Sequence, residues 1–357
     1  VSGTAVVVGA GVFGASTARE LRRRGWNVTV LEQHAPGHVG SGSGGDTRLM
    51  RLAHGDVEWY TRSAQRSLEL WRELEAESGQ QLFEPIGIAW FDSGTGEFTR
   101  RTETTFARLG IPCERLTPDE ARGLYPSLGG DDLRGVLLEP EAGVLYARAA
   151  TRLLAAELDV EPSRADPAYP PQADVVVWAC GAWLPKLFPE LVEQTIVRRD
   201  VFFFSVPGEW SGTPGFCDYD SAYYGHGELA GLGMKVAPDS GRDEIDPDTV
   251  ERLPLAANEQ LARDYLARRF PSLAHARLAG TRVCQYDLTL DTHFLVAAHP
   301  ERTGWWLLGG GSGHGFKHGP ALGEYVADCI EGRREPMAFH GLGPRTGHAG
   351  LRTAEVF

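Results

Sequence analysis

Hydrophobic and polar positions alternate between a period of two and a helical period along the chain. An apolar run at residues 5–8 (AVVV) predicts a short buried strand, GAGVFGASTARELRRRG a helix, and WNVTVLE a second strand. A Gly/Ser-rich loop, GHVGSGSGGDTRLMR, then leads into an amphipathic helix, EWYTRSAQRSLELWRELEAESG. Residues 83–134 mix short strands such as IGIAWF with a helix over 95–109. The segment ADVVVWACGAW, residues 173–183, predicts a buried strand ending in a small-residue turn. Residues 196–236 predict strands (IVRRDVFFFSV, SAYYG, GLGMKV), and 250–270 a helix. The stretch WWLLGGGSGHGFKHGPALGEYVADCIEG predicts a strand, a glycine turn and a helix. No internal repeat or long linker interrupts this order.

Composition narrows the class. The 357 residues are 42% hydrophobic and 23% charged, a soluble globular balance long enough for about two domains. No run approaches the roughly 18 uncharged apolar residues of a membrane span, and no basic signal segment opens the chain. A net charge of −13 argues against nucleic-acid or membrane partners. The five cysteines are scattered without a CxxC pair, so neither a disulfide framework nor a metal site is expected, and a cytoplasmic location is. Of 35 basic residues only Lys186, Lys235 and Lys317 are lysines. An ammonium and a guanidinium are not interchangeable, so these three positions matter.

The first β-α-β unit carries GxGxxG at Gly9, Gly11 and Gly14, with Glu32 closing the second strand. Such glycines permit the tight turn, the approach of backbone to a pyrophosphate, and helix–strand packing; the helix start, at Val12 and Phe13, faces the phosphates, and the acid is placed for ribose hydroxyls. An acid there argues against a 2′-phosphate and for FAD or NAD. The expected fold is α/β (α+β overall): a Rossmann-like nucleotide-binding domain, FAD-binding by the resemblance given below, with an inserted β-sheet-rich substrate domain. The expected division gives 1–82, 135–195 and 283–357 to the first and 83–134 and 196–282 to the second.

The motifs GAGVFG, GGDTRLMR, LEPEAGVLY, ACGAW, GLGMK, CQYDLTLDTHF and GSGHGFK follow one another as in the monomeric sarcosine oxidase and N-methyltryptophan oxidase family, amine oxidases of the D-amino-acid-oxidase-like group. The chain resembles this family over nearly its whole length. The resemblance implies a monomeric flavoenzyme that oxidises a secondary or cyclic amino acid to an imine by hydride transfer to flavin N5, with O₂ reoxidising the flavin to give H₂O₂. It implies FAD attached through the 8α position to the sulfur of Cys284, in VCQYD. Gly44, Thr47 and Arg48, then Gly181 and Trp183, then Gly313, His314, Gly315 and Lys317 complete the implied cofactor contacts. Lys235 matches the lysine that activates oxygen; a fixed cation beside the flavin stabilises developing superoxide. Arg51 and Lys317 match a clamp on the substrate carboxylate. Arg48, three residues before Arg51, is expected on the same helical face beside the flavin, and Tyr224 and Tyr286 match aromatic residues of the pocket. Lys235, Arg48 and Tyr224 are the positions nearest the implied chemistry.

The sequence also departs from that pattern. Ser43 and Gly44 stand where two histidines commonly precede GDTR, and Asp239 stands where a pocket histidine aligns. Losing bulky cationisable groups and gaining a carboxylate argues against sarcosine itself and for a larger substrate or one bearing a second amine. The span Tyr146–Ala173 is short for the family, and its Pro-rich EPSRADPAYPPQ is not expected to form a full β-meander. The alternative reading is a flavin dehydrogenase of the same fold, passing electrons to another acceptor or oxidising a larger amine in successive steps.

Overall fold

The chain is described by a computed structural model covering residues 3–241 and 243–346; the outermost residues of the expected nucleotide-binding segments lie outside these. The first unit forms as its periodicity predicts: strand Thr4–Val8, helix Val12–Arg23, strand Asn27–Glu32. Two glycines make the turn possible. Gly9 adopts φ +104°, and a Cβ there would lie 2.4 Å from the Ala179 carbonyl oxygen; a Cβ at Gly14 would lie 1.9 Å from the Gly9 carbonyl oxygen.

This unit sits in a six-stranded sheet of order Leu295–Ala298, Trp305–Gly309, Val175–Trp178, Thr4–Val8, Asn27–Glu32, Asp159–Pro162. All pairings are parallel except the first, an antiparallel edge. The Pro-rich region that the sequence leaves without an assigned strand thus contributes Asp159–Pro162 at the opposite edge, where only one side needs backbone partners. On one face Val7, Val30 and Val177 pack against Ala18 and Leu21 of the first helix and Leu322 and Val326 of helix Gly319–Ile330. These helices cross closely: a Cβ at Gly323 would stand 2.6 Å from the Ser16 carbonyl oxygen. No helix of the described residues is long and apolar enough to cross a membrane.

A second sheet of eight strands has the order Leu278–Leu288, Thr195–Phe204, Met234–Pro238, Tyr223–Glu228, Gly215–Asp218, Ile88–Asp92, Gly135–Glu139, Glu114–Leu116. Its two faces have different tasks. Phe202, Phe204, Met234 and Val236 pack against Ala262, Tyr265 and Leu266 of helix Ala256–Arg269. The alternate residues Val201, Phe203 and Ala237 cluster on the other face with Tyr224 and Cys284. Strand Gly135–Glu139, expected in the nucleotide-binding part, pairs with Ile88–Asp92 in this sheet, and Leu278–Leu288 runs through the expected boundary at 282/283. A three-stranded sheet of Thr47–Met50, Gly143–Tyr146 and Phe83–Glu84 completes the set.

That small sheet corrects one expectation. Thr47–Met50 is a strand paired with Gly143–Tyr146, so Arg48 and Arg51 share no helical face. Long-range antiparallel pairing decides the conformation of this stretch, and Arg51 lies just beyond the end of the strand.

Candidate functional site

One long cavity takes in both the glycine turn of the first unit and the cationic residues singled out in the sequence. At the nucleotide end it is lined by Gly9, Gly11, Val12, Phe13 and Glu32, and by Gly181 and Trp183 beyond the strand Val175–Trp178. The backbone here is prepared for a bound anion. A Cβ at Gly11 would meet only the Ser43 Oγ, at 3.3 Å. The N–H of Val12, first in its helix, donates to that same oxygen at 2.9 Å. Glu32 accepts from the N–H of Ala10 at 2.8 Å and of His34 at 2.9 Å, which fixes its carboxylate at the cavity edge. A glycine cradle and a helix N-terminus for the phosphates, with a braced acid to accept from ribose hydroxyls, are together what a dinucleotide needs. Gly14 and Gly44 act one layer back. They do not line the cavity, and a Cβ at Gly44 would lie 1.9 Å from the His38 carbonyl oxygen.

Lys186 is explained at this end. Its ammonium lies 2.5 Å from both Asp246 and Asp248, while the Trp183 indole N–H donates to Asp248 at 2.8 Å. The third lysine clasps a segment of the substrate part to the nucleotide part.

At the other end the cavity is lined by Arg48, Arg51, Tyr224, Asp239, Tyr286 and Lys317, with the glycine turn Gly313–Gly315 beside them. Arg51 donates to the Ala53 carbonyl and lies over the Trp90 ring, 5.1 Å from its centroid. Lys317 donates to the His314 carbonyl at 2.7 Å. Arg48 donates to the Thr47 and Gly42 carbonyls at 2.8 and 2.9 Å and lies against Cys284. Lys235 and Cys284 stand just behind the cavity wall. The Lys235 Nζ donates to the Thr47 carbonyl at 3.2 Å and lies 5.3 Å from the Tyr224 ring centroid. None of these four cations has an ion pair among the described residues; each spends its donors on carbonyl or hydroxyl oxygens.

That arrangement has a cost in charge. Burial, reinforced by Arg48, pushes the Lys235 ammonium down to about 7. Burial and the neighbouring Arg51 hold Lys317 well below the ordinary lysine value, and burial lowers Arg51 too. Bringing an anion into this end would reverse those shifts. The two tyrosines bond one another, hydroxyl to hydroxyl, at 3.0 Å, and burial raises Tyr286 well above its usual range, so it stays protonated.

The sequence reading missed three features here. Glu139, within the LEPEAG motif, is buried beneath Arg51 and accepts from the Leu52 N–H at 2.6 Å and the Trp90 indole at 2.6 Å. Arg199, one of many arginines on paper, is buried and lies 5.2 Å from the Tyr286 ring centroid. His54 and His318 join His314 in a buried cluster in which one ring nitrogen of each lies within 4.8 Å of the other two. His54 and His318 contact through their Nε2 atoms at 3.3 Å, and the His314 Nε2 donates to the Thr292 carbonyl at 2.9 Å. Burial and the adjacent Lys317 push all three well below the usual histidine value, so they are neutral.

A mostly parallel nucleotide sheet joined to a large, mostly antiparallel sheet, with one cavity spanning the two, defines a dinucleotide-dependent enzyme fold. Residues 4–329 match the FAD dependent oxidoreductase family, and the chain belongs to it. It is 29% identical to the monomeric sarcosine oxidase of Bacillus sp. (strain B-0618), covering 92% of this chain and 93% of that protein. It is 25% identical to the N-methyl-L-tryptophan oxidase of Yersinia pestis (strain Pestoides F), covering 93% and 96%. The fold is similar to L-proline dehydrogenase from P. horikoshii, with a TM-score of 0.82 at 23% identity over 95% and 96% of the chains. The resemblance to the sarcosine and N-methyltryptophan oxidases expected from the motifs therefore extends over 92–93% of the chain.

Proposed function

We propose that the protein is an FAD-dependent oxidase of a secondary or cyclic amino acid, releasing an imine and H₂O₂. The observation that carries this reading is the set of buried cations without ion pairs among the described residues, at one end of a cavity whose other end is a dinucleotide cradle. The flavin, when bound, supplies the hydride acceptor and returns the electrons to O₂. Arg51 and Lys317 hold the substrate carboxylate, the guanidinium through two parallel N–H donors, and so fix the α-carbon in place. Their positive charge also disfavours a protonated substrate amine, and hydride loss requires the neutral amine. Tyr224 and Tyr286 wall the pocket and, as protonated phenols, donate rather than repel. Lys235 supplies the cation for oxygen reduction, reaching the reaction space past Thr47 and Tyr224. Cys284, with the Arg48 guanidinium against it, is the point of covalent attachment. The protein acts as a cytoplasmic monomer.

Two measurements test this reading. Yellow colour that stays with the polypeptide after acid precipitation, and is lost from the pellet in Cys284→Ala, supports the linkage; colour released by acid refutes it. An H₂O₂-coupled screen of N-methyl and cyclic amino acids should find a substrate whose decarboxylated counterpart is inert. Equal activity on the decarboxylated amine would remove the clamp.

A further inference from the structure

The cavity wall beside the tyrosines carries a charge pair that the carboxylate clamp and the oxygen chemistry do not use. Lys235 and Ala237 project from one face of strand Met234–Pro238, and Asp239 follows at the next position of the same period. Asp239 lines the cavity, and its N–H donates to the Ala222 carbonyl at 2.7 Å, which fixes the end of the strand. Its Oδ1 lies 3.6 Å from the Nε of Arg199. Arg199 belongs to the neighbouring strand Thr195–Phe204; its side chain is 3% exposed and stacks on Tyr286. The Arg199 Nε and Nη2 are buried without a hydrogen-bond acceptor among the described residues, and the guanidinium faces the Asp239 carboxylate.

An ionised carboxylate is a poor partner for the reacting nitrogen. It would stabilise the ammonium, the form that cannot lose hydride, and with an arginine beside it would be a weak base for removing that proton. Its value lies elsewhere on the substrate. Arg48, Arg51, Lys235 and Lys317 gather at this end. Of the other carboxylates lining the cavity, Asp218 is paired with Arg269, Asp287 accepts the Gly311 N–H and Glu32 lies at the nucleotide end. Asp239, beside the tyrosines, is therefore the carboxylate placed to meet a second cationic group entering with the substrate. From this we infer that Asp239, held by Arg199, is a specificity-determining residue that receives a second ammonium or N–H donor on the substrate side chain, and that the preferred substrates are N-substituted basic amino acids. This rests on the amino-acid oxidase reading above and names the class of substrate within it.

The test uses the holoenzyme and two matched pairs of racemic compounds, Nα-methyllysine against Nα-methylnorleucine and Nα-methylornithine against Nα-methylnorvaline, with sarcosine as reference. Oxidation is followed by H₂O₂ release and binding by perturbation of the flavin absorbance. The basic member of at least one pair should show a kcat/KM ten-fold or more above its neutral partner. Asp239→Asn should shrink that preference to within about three-fold, through KM, while the neutral partner changes little. Equal rates within both pairs in the native enzyme would overturn the inference whether or not the variant folds, as would a preference that survives in Asp239→Asn. Oxidation of sarcosine with neither basic compound accepted would also overturn it and leave the oxidase reading intact. No oxidation and no spectral response with any of the five compounds would bring down both.

Discussion

Arg51 and Arg269 are both buried guanidiniums, yet their surroundings differ completely. Arg269, at the end of helix Ala256–Arg269, lies 3.0 Å from the fully buried Asp218 and 2.9 Å from Asp132. Its charge is answered inside the protein, and these carboxylates raise its pKa against the effect of burial. Arg51 finds a carbonyl and an aromatic face, and burial lowers it. A matched buried cation holds structure together; an unmatched one is stabilised by something that arrives later. The same contrast separates Lys186, paired twice at the surface, from Lys235 and Lys317, buried with carbonyl partners.

The sharpest way to break this contrast is Arg51→Ala. It should lower kcat/KM for carboxylate-bearing substrates by about two to three orders of magnitude, the effect of losing a desolvated charge pair of roughly 3–4 kcal/mol. Its melting temperature should fall less than that of the Arg269 variant, because the Ala53 carbonyl and the buried Glu139 lose a neighbour but no ion pair is broken. An unchanged KM would place the carboxylate elsewhere. Arg269→Met should do the reverse, costing about 3–5 kcal/mol of stability by leaving Asp218 buried and unpaired. Activity per folded molecule should be retained; denaturant titration beside steady-state kinetics separates the two.

Lys235 lies between these cases and adds a pH signature. Its ordinary value of 10.5 falls to about 7 in the fold. Above that pH the folded protein loses the proton that the unfolded chain still binds up to about 10.5, so Lys235 destabilises the fold at neutral pH and less so as pH rises. For the proposed catalysis the sign is opposite: the cation proposed to assist O₂ is lost as pH rises through this region. Reoxidation of reduced enzyme should therefore slow with rising pH, and Lys235→Met should be slow and flat across the same range while keeping anaerobic reduction. Equal loss in both half-reactions would refute the oxygen role. The smallest effect belongs to Lys186→Met, an exposed pair, which should leave the melting temperature and turnover unchanged within error.

What could be read from the sequence follows the range of the interactions that make each part. The β-α-β unit was legible because its turn, helix and acid are close in sequence and each glycine has a local reason to be there. Lys235 and Lys317 stood out because lysine is scarce. The strand at Arg48 was hidden because its partner, Gly143–Tyr146, lies nearly a hundred residues away, and nothing within TRLMR distinguishes a strand from a helical turn. Strand Asp159–Pro162 was hidden for a different reason: as an exposed edge it needs backbone pairing and little apolar content. The histidine cluster joins residues 54 and 318, which only the tertiary fold brings together. Arg199 was one arginine among many, and burial alone marks it.

The contact of Gly323 with Ser16 reaches beyond packing. It locks two helices whose starting ends serve different parts of the cavity: one opens at the glycine cradle, the other follows the turn that carries His314 and Lys317. The crossing acts as a fixed gauge between the two stations. A side chain as small as a methyl group would push the helices apart and move the clamp relative to the cradle, so the pocket's alignment depends on a residue that touches no ligand.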